Sequence, residues 1–174
     1  MMDVEISSLA AVAVSAGPGS FTGLRIGAAF AKALTFENAP KLIAVPTLEA
    51  IALAAAPSAE LLGKQRICVG IPSHKNLVYW QEFDSSVVPM NTVTLVEANT
   101  LMPNKDSLYA GTAFTSAGLN ETAYTTLPEL CRISPSMIAT LAVRLFHQQV
   151  FTLSEEFVPL YVQDFIPKTV QKRK

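Results

Sequence analysis

Charge is scarce in this chain. Only 16% of its 174 residues are Asp, Glu, Lys or Arg, against about a quarter in an ordinary soluble domain. The formal net charge is −1, so no global field gathers nucleic acid or anionic lipid. Histidine and cysteine are scarcer still. His74 and His147 lie far apart, and Cys68 and Cys131 fall outside any metal-ligand spacing, which removes the zinc patterns. The two cysteines fit buried free thiols in a reducing compartment. No run reaches the ~18 uninterrupted apolar residues of a membrane span. The N-terminus, MMDVEISS, carries acids where a signal peptide has a basic region and an apolar block, so the expected location is the cytoplasm. The only basic run, Lys168 to Lys174, holds four Lys or Arg. It reads as a solvated terminus, with contact to RNA as the minor reading.

What the chain has instead is apolar residues, half of the total. Its length suits one domain or two small lobes around a real core. So little charge for so much apolar content leaves two readings, a large core or a surface covered by a partner.

Leu9 to Ser15, LAAVAVS, is a short apolar run that reads as a strand buried on both faces. Gly-Pro-Gly then turns into a helix from about Phe21 to Phe36. Lys41 to Val45 is a second buried strand. Thr47 caps a second helix, with Glu49 in its first turn, running to a stop near Pro57. This half alternates strand and helix with short links, which predicts a mainly parallel sheet. The polar stretch from Ser58 to Gln65 reads as a hinge.

The second half has a different pattern. Arg66–Ile71 and Leu77–Phe83 flank the turn-like PSHKN and predict an antiparallel hairpin. Val93–Val96 and Ser107–Ala110 add strands. Ser134 as cap and Pro135 in the first turn open a helix. Ile138, Leu141, Ala142, Leu145 and Phe146 share one of its faces. The ending FVPLYVQDFIPK is expected to pack in extended form against this second half.

The stretch GPGSFTGLRIG, residues 17 to 27, poses the functional question. It lacks the lysine of a P-loop, and Thr22 stands where the dinucleotide fingerprint needs its third glycine. A helix N-terminus can still hold an anion, but Ser20 or Thr22 filling the free amides as a cap is the favoured reading. Gly23, Gly27 and Ala31 recur every four residues along one stripe. Two interior glycines cost roughly 1 kcal/mol each relative to alanine. Close approach of another element would compensate. The helix is otherwise apolar nearly all round, with Phe21, Leu24, Ile26, Phe30, Ala33 and Leu34; only Arg25 and Lys32 are charged. One side can face its own sheet. The other needs the second helix or another polypeptide.

The stretch AVSAGPGSFTGLRIGAAFAKAL resembles the signature of the TsaB (YeaZ-type) family, a subunit of the bacterial machinery making threonylcarbamoyladenosine on transfer RNA. LIAVPTLEAIA, the Val78–Trp80 strand, the late Ser-Pro helix and Pro159–Val162 are similar to later family features. The resemblance implies an α/β, two-lobed actin-like, ribonuclease-H-like (ASKHA) fold, with lobes over residues 1–64 and 65–174. Family members open with a strand, a hairpin and a helix before the region where this chain starts, so the first lobe is expected to be shortened at its N-terminus and its sheet to have an unpaired edge. The departures are Pro72-Ser73-His74 where the family carries Asp-Ala-Arg, and Gln163 where it carries arginine.

The resemblance also implies the role. It points to a noncatalytic subunit that stabilises the TsaD-type catalytic subunit for N6-threonylcarbamoylation of adenosine 37 in tRNAs reading ANN codons. A TsaE-type ATPase joins the assembly, a homodimer is expected, and tRNA is met only indirectly. No cofactor is expected on this chain; ATP and metal belong to the partner subunits. The partner interface is expected at Phe21, Gly23, Leu24, Arg25, Gly27, Ala28, Phe30, Ala31 and Lys32. Gly17, Gly19, Ser20 and Thr22 form the candidate anion-binding turn. No catalytic constellation stands out in the sequence. The alternative is an ASKHA-type nucleotide-binding enzyme or a glycoprotease-like (M22) peptidase.

Overall fold

The structure, a computed structural model, describes residues 5–38, 40–116 and 123–162. β1 (Ala11–Gly17) and β2 (Lys41–Pro46) form a parallel two-stranded sheet, with Ala11 opposite Lys41 and Ser15 opposite Val45. The crossover between them is α1 (Phe21–Leu34). β2 runs straight into α2 (Thr47–Leu61). The second sheet holds β3 (Arg66–Pro72), β4 (Leu77–Asp84), β5 (Thr94–Glu97) and β6 (Ser107–Ala110), in the order β5-β4-β3-β6. β3 pairs antiparallel with β4 and β4 with β5, while β6 runs parallel to β3. The short α3 (Ala113–Ser116) and the longer α4 (Pro135–His147) complete the regular elements.

The expected hairpin is therefore present, and so is the parallel pairing of the first two strands. Four expectations need correction. β1 is not buried on both faces: most of it is half-buried and Ala13 is exposed. It has a partner on one side only, because β2 alone pairs with it. α2 does not stop at Pro57 but continues to Leu61, so no hinge begins at Ser58. Proline forfeits one helical hydrogen bond, yet the turn beyond it is held by Ala59, which is fully buried in the core. Ser134 precedes α4 without capping it; its hydroxyl meets that of Ser136 at 2.7 Å instead. The ending packs on the first sheet, not the second: Thr152 donates to the Leu42 carbonyl, Leu160 donates to that of Ala16, and Phe157 is buried against Ala28, Ala31 and Leu42. Residues from 163 onward, including Gln163 and the basic tail, lie outside the described residues.

α2 sits between the two sheets. Leu48, Ile51, Ala52, Ala55 and Ala59 meet Ile67, Val69, Ile71 and Leu108 of the second sheet. Ala50 turns the other way, towards Ile43, Val45, Leu141 and Ala142. Small alanines let this helix approach its neighbours closely, and each large aliphatic buried is worth about 1.5–3 kcal/mol. The far face of the second sheet carries an aromatic cluster of Trp80, Tyr109, Phe114 and Tyr124, with Cys68 and Cys131 among them. Both cysteines are free and buried. Burial pushes the Cys68 thiol up to about 11, against a weaker lowering by its hydrogen bond with Ser107.

Candidate protein-docking face

α1 begins where the Gly17–Gly19 turn frees its first amides. Ser20 fills one of them: its Oγ accepts the Gly23 N–H at 3.3 Å. Gly17 has φ +100°, and a side chain there would meet the Leu160 carbonyl, so glycine is required at this bend. The Ser20 hydroxyl is thus engaged within the helix, and Thr22 is exposed. The groove beside the turn, about 240 Å³, is lined mainly by carbon, with Val14, Leu24, Gly27 and Ile133 in its wall.

One stripe of α1 faces its own sheet. Leu24, Ala28 and Ala31 are buried against Val12, Val14 and Ala16. The stripe closes at Thr35, whose hydroxyl donates to the Ala31 carbonyl at 2.8 Å and meets Ser154 Oγ at 2.8 Å. Lys32 reaches back to the Glu155 carbonyl at 3.3 Å.

The opposite stripe faces water. Ile26 is 66% exposed and Phe30 67% exposed, with Phe36 just beyond the helix at 73%. Gly23, Ala29 and Ala33 are exposed around them. Phe21 caps this face: the Arg25 guanidinium lies 4.0 Å over its ring, and Tyr161 packs against it at 5.3 Å between centroids. The result is two large apolar side chains on a low rim of glycine and alanine. That shape suits a second helix laid across it. Left in water, each large side chain forgoes about 1.5–3 kcal/mol.

The sequence-derived interface residues therefore divide. Phe21, Gly23, Arg25 and Phe30 point outward; Leu24, Ala28 and Ala31 point into the sheet, with Gly27 and Lys32 between. Ile26, the centre of the exposed stripe, was not among them. Its signal was present: the apolar residues at 24, 28 and 31 define one face, and 26, 30 and 33 the face opposite. The glycines do not serve close packing within the chain. A Cβ on Gly23 would touch only Ser20, and one on Gly27 only Val14, at 3.5 Å.

Elsewhere, no group of three or more His, Cys, Asp or Glu among the described residues is placed to hold a metal ion. No helix among them is long and apolar enough to cross a membrane.

Comparison with known proteins places the chain. Residues 1–148 match the family described as "TsaD: tRNA N6-adenosine threonylcarbamoyltransferase". The chain belongs to this family. No curated protein matches it in sequence. Among solved structures, YeaZ from Pseudomonas aeruginosa superposes with a TM-score of 0.72 at 21% identity, over 90% of this chain and 76% of that one. A second structure, of an uncharacterized protein with similarity to peptidase YeaZ from Pseudomonas aeruginosa, gives 0.73 at 20% identity, over 92% and 76%. This member of the TsaD family thus has the YeaZ fold, the two-lobed actin-like, ribonuclease-H-like class that the signature implied. The family is one of transfer-RNA modification.

Proposed function

We propose that this chain is a noncatalytic partner subunit that docks on and stabilises a TsaD-type catalytic subunit for threonylcarbamoylation of adenosine N6 in tRNA. The observation that carries this reading is the bare apolar stripe of α1, with Ile26 and Phe30 about two-thirds exposed. Apolar exposure of this kind on a helix built with small residues is a helix-docking surface. Arg25, exposed at its edge, supplies a rim contact that favours approach more than affinity. ATP and metal sit on the partner subunits, a TsaE-type ATPase joins the assembly, and tRNA is met through the assembly. Self-association through the same stripe competes with TsaD binding.

The test is co-purification and calorimetric titration with a TsaD-type subunit. Ile26→Asp and Phe30→Asp are expected to weaken binding by about tenfold or more each and to leave the melting temperature almost unchanged. Ala31 is only 2% exposed, so Ala31→Glu is the wrong probe, because it would damage the contact of α1 with the sheet. Unchanged affinity in both exposed-stripe variants would remove the docking reading. Titration with ATP and magnesium addresses the enzyme alternative: tight binding by this chain alone would favour the nucleotide-binding reading.

A further inference from the structure

The two edges of the first sheet are treated differently. The outer edge of β2 is covered: Thr152 pairs with Leu42 as an isolated antiparallel bridge. The outer edge of β1 pairs with no strand among the described residues. Lys41 donates to the Ala10 carbonyl, which fixes the alternation: even-numbered residues of β1 turn their backbone groups to β2, and Ala11, Ala13 and Ser15 turn theirs outward. This edge has none of the usual protection. It carries no lysine, proline or inward charge from Ala11 to Ser15. Beside it, grooves of about 410 and 260 Å³ run between β1 and α4, walled by Ala11, Ala13, Ile138 and Val143.

We infer that a second copy of this chain pairs along the free edge of β1, antiparallel and centred on Ala13, making one continuous sheet in the order β2-β1-β1-β2. The segment is self-complementary. Ala13 meets its own counterpart, and Ala11 meets Ser15 of the other copy. These are the residues whose amides and carbonyls point outward, so every facing pair exchanges both hydrogen bonds. The faces agree as well. A two-fold axis perpendicular to the sheet at Ala13 keeps both copies of α4 on one side and both copies of α1 on the other. The small side chains of Ala11, Ala13 and Ser15 admit this approach. The second α4 brings Ala139 and the 57%-exposed Val143 over the grooves. This interface is separate from the α1 stripe and stands whether or not that stripe binds a TsaD-type subunit.

Cross-linking of the full chain reads the register directly. Opposed residues of a hydrogen-bonded pair sit about 5.5 Å apart at Cα, within disulfide reach. Ala13→Cys should therefore form a disulfide-linked dimer under copper phenanthroline oxidation, and Ala11→Cys should form little, because its counterpart lies several residues away. The native thiols, both buried, serve as the background control. In sedimentation velocity, the unaltered chain should be dimeric at micromolar concentration. Ala13→Pro, which removes only an outward N–H, should weaken the dimer by about tenfold or more, and Ala13→Lys should do the same if the proline variant proves unstable. Ile26→Asp should leave this dimer intact. A chain that stays monomeric across the concentration range, equal cross-linking of the two cysteine variants, or a dimer lost with Ile26→Asp but kept with Ala13→Lys would each overturn the proposal.

Discussion

α1 and α2 have similar lengths and similarly apolar compositions, yet their surroundings are opposite. In α2, Leu48, Ala50, Ile51, Ala52, Ala55 and Ala59 are all buried, because two sheets and α4 close around the helix. In α1 only Leu24, Ala28 and Ala31 are buried, because its single neighbouring layer is a narrow two-stranded sheet. An apolar sequence predicts that a helix will be covered. It does not say by what. α2 finds its cover within the chain, and α1 leaves Ile26 and Phe30 bare. Two helices of one composition thus separate what the fold needs from what the surface offers.

That contrast can be measured. The largest effect should come from matched truncations: Ile51→Ala is expected to cost about 2–5 kcal/mol, and Ile26→Ala less than about 0.5 kcal/mol, both read from urea unfolding. Comparable losses at the two positions would mean that α1 is covered in solution. A smaller effect should appear in alkali. The Cys68 thiol, held up at about 11 from an ordinary 9.0, keeps its proton in the folded state while the unfolded chain releases it. Its contribution is complete below about pH 8.5 and is lost as pH rises towards 11, a decline of roughly 1–3 kcal/mol. Tyr109 and Tyr124, also shifted upward by burial, reinforce the decline at higher pH. Cys68→Ser should flatten the slope between pH 9 and 11 in a pH series of urea unfolding. Because the group lies in the second sheet, α1 substitutions should leave that slope alone. The smallest effect expected is at the start of α1. Ser20→Ala removes the hydroxyl that holds the Gly23 amide and should cost about 0.5–2 kcal/mol by thermal melting, with the lower end favoured because the site is exposed.

The strands were legible because their apolar runs are bounded by turn residues, and β3, β4 and β6 begin at the residues that periodicity indicates. α1 and α4 were legible from their start signals. Three things were not. Proline at 57 is a local stop signal, and the burial of Ala59 that overrides it is a tertiary fact. The apolar face of α4, Ile138, Leu141, Ala142 and Leu145, was visible, but no local pattern says that it packs on β1, β2 and α2 instead of the second sheet. The same holds for Phe157 and Leu160, whose places are set by Leu42 and Ala16, more than a hundred residues earlier. At the candidate site, the greasy helix was readable and its facing was not. Facing depended on which stripe met the sheet, and so Ile26 went unnoticed.

The position of α2 has a consequence for how the molecule behaves as a whole. Its residues Leu48 and Ile51 belong to one core while Ala50 belongs to another, so the helix is a wall shared by two rooms. Severing the polypeptide after Gly63 would leave the first fragment with a naked wall and the second without one. Neither fragment should acquire a melting transition alone, and mixing them should restore one.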